Sequence, residues 1–174
     1  MLYADASSFI RKPIDDLINT YLQSADVILT MDEDYAMQKW TKRDIFKIFN
    51  KDNDKDRVLR TIAGGYSLIR NSAFSREFIS EWQNYCQKQS LIDDSPSENE
   101  HPEFIENRHD QALLAMLYYK YKDTAQGTKL SYWPSERITE WDLSKDAPGV
   151  YFITARRRTT DTNMLKLILK YADK

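Results

Sequence analysis

Asp26-Val27-Ile28-Leu29-Thr30 sets four apolar or β-branched residues behind a turn-forming aspartate, the pattern of a short buried strand. Just upstream, Pro13 suits the first turn of a helix, and Ile14, Leu17, Ile18, Tyr21 and Leu22 recur at helical spacing as far as Ser24. Further back, Met1-Leu2-Tyr3-Ala4 reads as another buried strand, closed by the polar loop Asp5-Ala6-Ser7-Ser8. Strand, helix and strand in that order predict an α/β domain.

Downstream the pattern continues. Thr41-Lys42-Arg43-Asp44 resembles a capping box for a helix that packs Ile45, Phe46, Ile48 and Phe49. Residues 50–56 alternate Asn, Lys and Asp and read as a solvated loop; they lack the glycine and terminal glutamate of a calcium-binding loop. Thr61 to Arg70 is strand-like with Gly64-Gly65 at its centre, which predicts a bulge or a close approach to the backbone. Asn71, Ser72 or Ser75 then caps a long helix with Phe78, Ile79, Trp82, Tyr85 and Cys86 on one face. After a polar loop from Asp93 to Glu103, the run from Asp110 to Tyr121 is too apolar for a surface helix and predicts a buried one. The stretch through Trp133-Pro134 and Pro148-Gly149 reads as mostly irregular, with short strands at best. Val150 to Thr154 is a last strand, and Thr162 or Asn163 caps a terminal helix.

The chain has 174 residues, which predicts a single domain over 1–174. Hydrophobic residues make up 41% and charged residues 30%, which excludes a disordered chain. A net charge of -2 argues against a general nucleic-acid binder. The single cysteine, Cys86, excludes an internal disulfide and sits among apolar helix residues as a structural thiol. With no apolar run long enough to span a membrane and no signal-peptide pattern, the expected location is cytoplasmic, with peripheral membrane contact left open.

The polar residues with chemical capacity fall in three places. His109-Asp110-Gln111 opens the apolar helix, where free backbone N–H groups and the helix dipole favour an anion. The plainer alternative has Asp110 capping the helix while Arg108 and His109 are solvated. Asp5 ends a strand ahead of small residues, which leaves room for a divalent cation bridging to a diphosphate, or makes Asp5 a simple turn residue. Arg156-Arg157-Arg158 offers forked donors for phosphate oxygens, or forms a basic turn facing water or anionic lipid.

Taken in order, these segments resemble a bacterial-type glycosyltransferase of the GT-A fold, the class that builds capsule, lipopolysaccharide and related surface glycans. Tyr3-Ala4-Asp5-Ala6-Ser7 resembles the strand end that carries the acidic metal and nucleotide motif, with Ser7 replacing its second acid. Trp40 through Phe46 is similar to a tryptophan, threonine-lysine, aspartate and phenylalanine segment in such enzymes. Ala63-Gly64-Gly65 resembles the glycine pair of the donor-sugar pocket, and Phe104 through Gln111 the segment ending in arginine-histidine-aspartate-glutamine. The resemblance covers roughly residues 1 to 123 and fades beyond.

It implies a partial GT-A-like, Rossmann-like mixed sheet flanked by helices. It implies transfer of a hexose from a nucleoside diphosphate sugar to a glycan acceptor, with manganese or magnesium held by Asp5. Asp5, Gly64, Gly65, Arg156 and Arg157 would bind the donor; Asp110, with His109 and Gln111 orienting, would serve the reacting carbon. Such enzymes bind the base and ribose with strands preceding the acidic motif, and this chain opens at that motif, so the expectation is a domain incomplete at its N-terminus, with an exposed sheet edge open to self-association. The alternative function is a noncatalytic glycan-binding or assembly module. A metal-dependent phosphohydrolase is disfavoured, since His101 and His109 are the only histidines.

Overall fold

A computed structural model describes residues 1–6, 8–134, 139–140 and 150–154. Arg156, Arg157, Ser7 and the expected terminal helix lie outside the described residues. The architecture is mixed α/β, with a mixed sheet flanked by helices. Strands β1 (Leu2–Ala4), β3 (Val27–Ala36), β4 (Arg60–Ile69) and β5 (Leu130–Pro134) form a sheet in the order β1-β4-β3-β5. The first two junctions, β1 with β4 and β4 with β3, are antiparallel, and β3 runs parallel to β5. A second, three-stranded sheet joins β2 (Ser8–Ile10), β7 (Phe152–Thr154) and β6 (Thr139–Glu140).

The first half of the central strand β3, Val27 to Met31, is buried on both faces, and its alternation divides the interior in two. Val27, Leu29 and Met31 face a core built with helices α5 (Ala73–Cys86) and α7 (His109–Lys122). Ile28 faces a second core with Leu17 of α1 (Asp15–Tyr21), Tyr66, Trp133 and Phe152. Helix α7 contributes nine buried side chains, which is why its sequence lacks a polar stripe.

Gly64-Gly65 sits in the expected bulge, and the bulge has a defined size. Leu29 pairs with Ser67, whereas its neighbour Thr30 pairs with Ala63, so Gly64, Gly65 and Tyr66 are extra residues on β4. An odd insertion swaps the faces of the strand. Ile62 and Ile69 therefore both face the α5/α7 core, although they differ in parity, while Tyr66 and Leu68 face the other. Thr30 closes the gap: its hydroxyl donates to the Tyr66 carbonyl at 2.9 Å and accepts from Trp133 Nε1 at 2.5 Å, all within the interior.

Several local expectations are corrected. β1 is an edge strand rather than a buried one, since only β4 pairs with it among the described residues, and Tyr3 remains 48% exposed. The segment read as the end of a polar loop contains β2, which three residues suffice to form because β7 supplies its partners. Residues 50–56 include a short helix, α4 (Asp54–Arg57), whose N–H of Asp56 is capped by Asn53. Ahead of it in the chain stand α2 (Met37–Trp40) and α3 (Arg43–Ile48); the connection after α5 holds α6 (Gln89–Ile92).

Helix α3 lacks the expected capping box. Its N-cap residue is Lys42, and Thr41 is buried with its hydroxyl unpaired. The free N–H groups of Arg43 and Asp44 instead donate to Glu100 Oε2 at 2.9 Å and Ser97 Oγ at 3.0 Å. The polar loop after α6 thus serves as the cap of a distant helix. No helix among the described residues is long and apolar enough to cross a membrane.

Candidate functional site

Asp5 follows directly on β1, and its N–H donates to the carbonyl of Gly65 at 3.0 Å, which fixes it against the β4 bulge. Its carboxylate accepts from the Tyr3 hydroxyl at 2.8 Å. Tyr3 lies in β1 and Asp5 just past its end, so the pair is a local one, two residues apart. That hydrogen bond, partial burial and the charges of Asp5 and then Asp110 raise the Tyr3 pKa above its ordinary value.

The start of α7 is held by a different set of contacts. Arg108 donates its N–H to the Trp40 carbonyl at 3.0 Å, and its guanidinium lies over the Trp40 ring, 4.4 Å from the centroid. Tyr35 meets the same ring edge-on at 5.4 Å. Trp82 donates through Nε1 to the Asp110 carbonyl at 2.9 Å. Gln111 lies across from the bulge: a methyl group at Gly64 would stand 3.5 Å from Gln111 Oε1. The two segments read from the sequence as Trp40 to Phe46 and Asn107 to Gln111 therefore abut through Trp40 and Arg108, and the second reaches Gly64 through Gln111.

Asp110 does not cap α7. The N-cap residue is Arg108 and no side chain caps this end of the helix, so the plainer reading of Asp110 is not what the fold builds. The Asp110 side chain is exposed. His109 takes a left-handed backbone conformation with φ of 52°, uncommon for a residue with a side chain and frequent at functional positions. Its Nε2 lies 2.8 Å from Asp94 Oδ1, an exposed pair. His101 is elsewhere occupied, accepting through Nδ1 from the Glu103 N–H at 3.1 Å.

A resident metal would need more ligands than these residues gather: among the described residues no group of three His, Cys, Asp or Glu is arranged to hold one. A cation delivered on a diphosphate asks less of the protein, one or two carboxylates with phosphate oxygens and water completing its shell. The exposed Asp5, whose carboxylate accepts one hydrogen bond among the described residues, from Tyr3, and has about four acceptor positions, fits that lesser role. A cavity of about 390 Å³ between the end of β4 and α5, lined by Ile69, Arg70, Ser75, Arg76 and Ile79 among others, includes none of the candidate residues.

Sequence reasoning singled out Asp5, Gly64, Gly65, Asp110, His109 and Gln111; the fold sets Asp5 on Gly65 and Gln111 against Gly64, with Asp110 exposed beside Gln111 in the chain. It missed Tyr3, whose two-residue spacing from Asp5 was a usable signal. It also missed Trp82 and Asp94, which no local pattern marks. Cys86 is half-buried with its pKa raised by burial and then by Asp110, as suits an unreactive thiol. No family model, curated protein or solved structure matches this chain.

Proposed function

We propose that this chain is a glycosyltransferase domain, or the acceptor-side portion of one with a GT-A-like fold, which transfers a hexose from a nucleoside diphosphate sugar to a glycan acceptor. The observation that carries the reading is convergence. Asp5 is bonded to Gly65 and Gly64 faces Gln111, although these pairs are separated along the chain by 60 and 47 residues. Those are the segments that the resemblance groups around one donor sugar.

Each residue then has a physical task. Asp5, held by Tyr3, would ligate a divalent cation carried by the donor diphosphate; that cation would neutralise charge on the leaving group. Gly64, half-buried beside Gln111, would let a sugar ring come close to the β4 backbone. Asp110 would take the acceptor hydroxyl proton or stabilise positive charge developing at the sugar carbon. Gln111, a donor and an acceptor in one side chain, would fix sugar hydroxyls, and His109 would orient the acceptor.

Calorimetry with uridine and guanosine diphosphates, each with and without manganese, tests this directly. The expected result is manganese-dependent binding that weakens in Asp5→Ala and Arg157→Ala, and a transfer rate lowered about 10²–10⁴-fold in Asp110→Asn with nucleotide binding retained. Absence of nucleotide binding under every condition sinks the transferase reading for this chain.

A noncatalytic glycan-binding module is the second reading. It is favoured by two exposed rings, Tyr3 at 48% and Tyr35 at 43%, which offer sugars a flat apolar face with a hydroxyl. Saccharide binding without nucleotide binding would select it.

A further inference from the structure

Lys42 is 1% exposed, yet its side chain ends in polar contacts alone. Its Nζ lies 2.8 Å from the Ser90 carbonyl and 2.8 Å from Asp93 Oδ1, with the Asp93 carbonyl at 3.4 Å and Ser95 Oγ at 3.3 Å. All four acceptors belong to the segment that follows α5. A buried lysine is costly unless fully partnered, and this one spends its donors on a single stretch of chain.

That stretch leads to the candidate site. From Asp93 to Arg108 the chain has no strand or helix, and its fastenings run along the Lys39 to Asp44 segment. Lys42 holds its root. Ser97 and Glu100 cap α3, Arg43 donates through Nη1 to the Asn99 carbonyl at 2.8 Å, Ile105 donates its N–H to the Lys39 carbonyl at 2.9 Å, and Arg108 donates to that of Trp40. Asn107, buried just ahead of α7, returns to the root by donating through Nδ2 to the Leu91 carbonyl at 2.9 Å. Where the chain enters α7 is therefore set by how it leaves Lys42.

We infer that Lys42 is a positioning residue for the Asn107 to Gln111 segment, acting through Asp93 and the 93–108 connection to keep Gln111 opposite Gly64. The inference rests on the transferase reading only in naming what that segment holds; the clamp itself is a property of the fold.

Amide hydrogen exchange in Lys42→Met, and in Asp93→Asn, tests it. Asp93 has a half-exposed side chain and close in size to its replacement, so the second variant guards against a first that does not fold. The expected result is exchange at least tenfold faster at the amides of Ile105, Arg108 and Gln111, with those of β3 and β4 unchanged, and weaker manganese-nucleotide binding at a temperature where the variant is folded. An unchanged rate at the three amides, or an equal rise throughout β3 and β4, overturns the inference: the first shows no clamp, the second only a general loss of stability. Nucleotide binding to the unaltered chain is measured alongside. If that binding is absent the transferase reading fails, and the exchange pattern decides the role of Lys42 by itself.

Discussion

Gln111 lies against the open side of Gly64, with 3.5 Å between its Oε1 and the place a Gly64 methyl would occupy. That is an ordinary contact distance, and Gly64 has no positive φ to protect. Gly64→Ala should therefore leave stability within about 1 kcal/mol of the parent, since the lost backbone freedom favours alanine. Gly64→Leu reaches past that point and must displace Gln111, so it should abolish saccharide or nucleotide-sugar binding with little change in melting temperature. Equal binding by the leucine variant would remove Gly64 from the site.

Thr30 makes the second case. Thr30→Val keeps the shape and deletes the hydroxyl that serves both the Tyr66 carbonyl and Trp133 Nε1. Two buried groups lose their partner, which should cost about 2–5 kcal/mol in urea unfolding. A loss under 1 kcal/mol, by the same scale, would mean that another group or a water takes over the bulge.

Gly127 stands in the short 3-10 turn Ala125–Lys129 after α7, where an added Cβ would be 2.2 Å from the Lys122 carbonyl oxygen. Because the obstacle is backbone, the turn must move. Gly127→Ala should destabilise by about 1–3 kcal/mol while leaving ligand binding intact. Thermal unfolding indistinguishable from the parent would contradict the close approach.

Acid sensitivity follows from three aspartates. Burial opposes ionisation of Asp52, but hydrogen bonds from Arg57 and then Arg43 outweigh it; at Asp56, burial is likewise outweighed by Asn53 and Lys51. Lys42, followed by Ser95, holds Asp93 low. Each folded-state pKa lies below that of the unfolded chain, so the stabilisation is present above about pH 4 and is lost as pH falls through the depressed values. Urea midpoints measured from pH 6 to pH 2 should fall more steeply in the parent than in Asp52→Asn, which starts lower. Parallel acid limbs would show that Asp52 is not one of the groups responsible.

The parts of the fold that the sequence revealed are those where one segment carries its own explanation. Val27 to Thr30 and the apolar run of α7 are buried on all sides, so their composition alone marks them, and a glycine pair inside a β-rich run marks the β4 bulge. What stayed hidden depends on distant partners. The cap of α3 comes from Ser97 and Glu100, 53 and 57 positions away, and no local rule can anticipate it. β2 is three residues long and exists because β7 lies beside it. The candidate site shows the same division: Asp110 and Gln111 were visible at the head of an apolar helix, while Tyr3, Trp82 and Asp94 matter through folded proximity.

The borrowed cap of α3 also bears on how the chain reaches its structure. A helix of six residues is too short to persist alone, and here the groups that complete it arrive only when the 93–108 connection docks. Formation of α3 and ordering of that connection are then coupled, joining segments far apart in the chain. Irregular surface connections ordinarily accept insertions and survive a protease cut; this one is stitched at both ends and along its length, and a nick between Ser97 and Glu100 would melt a helix on the other side of the break.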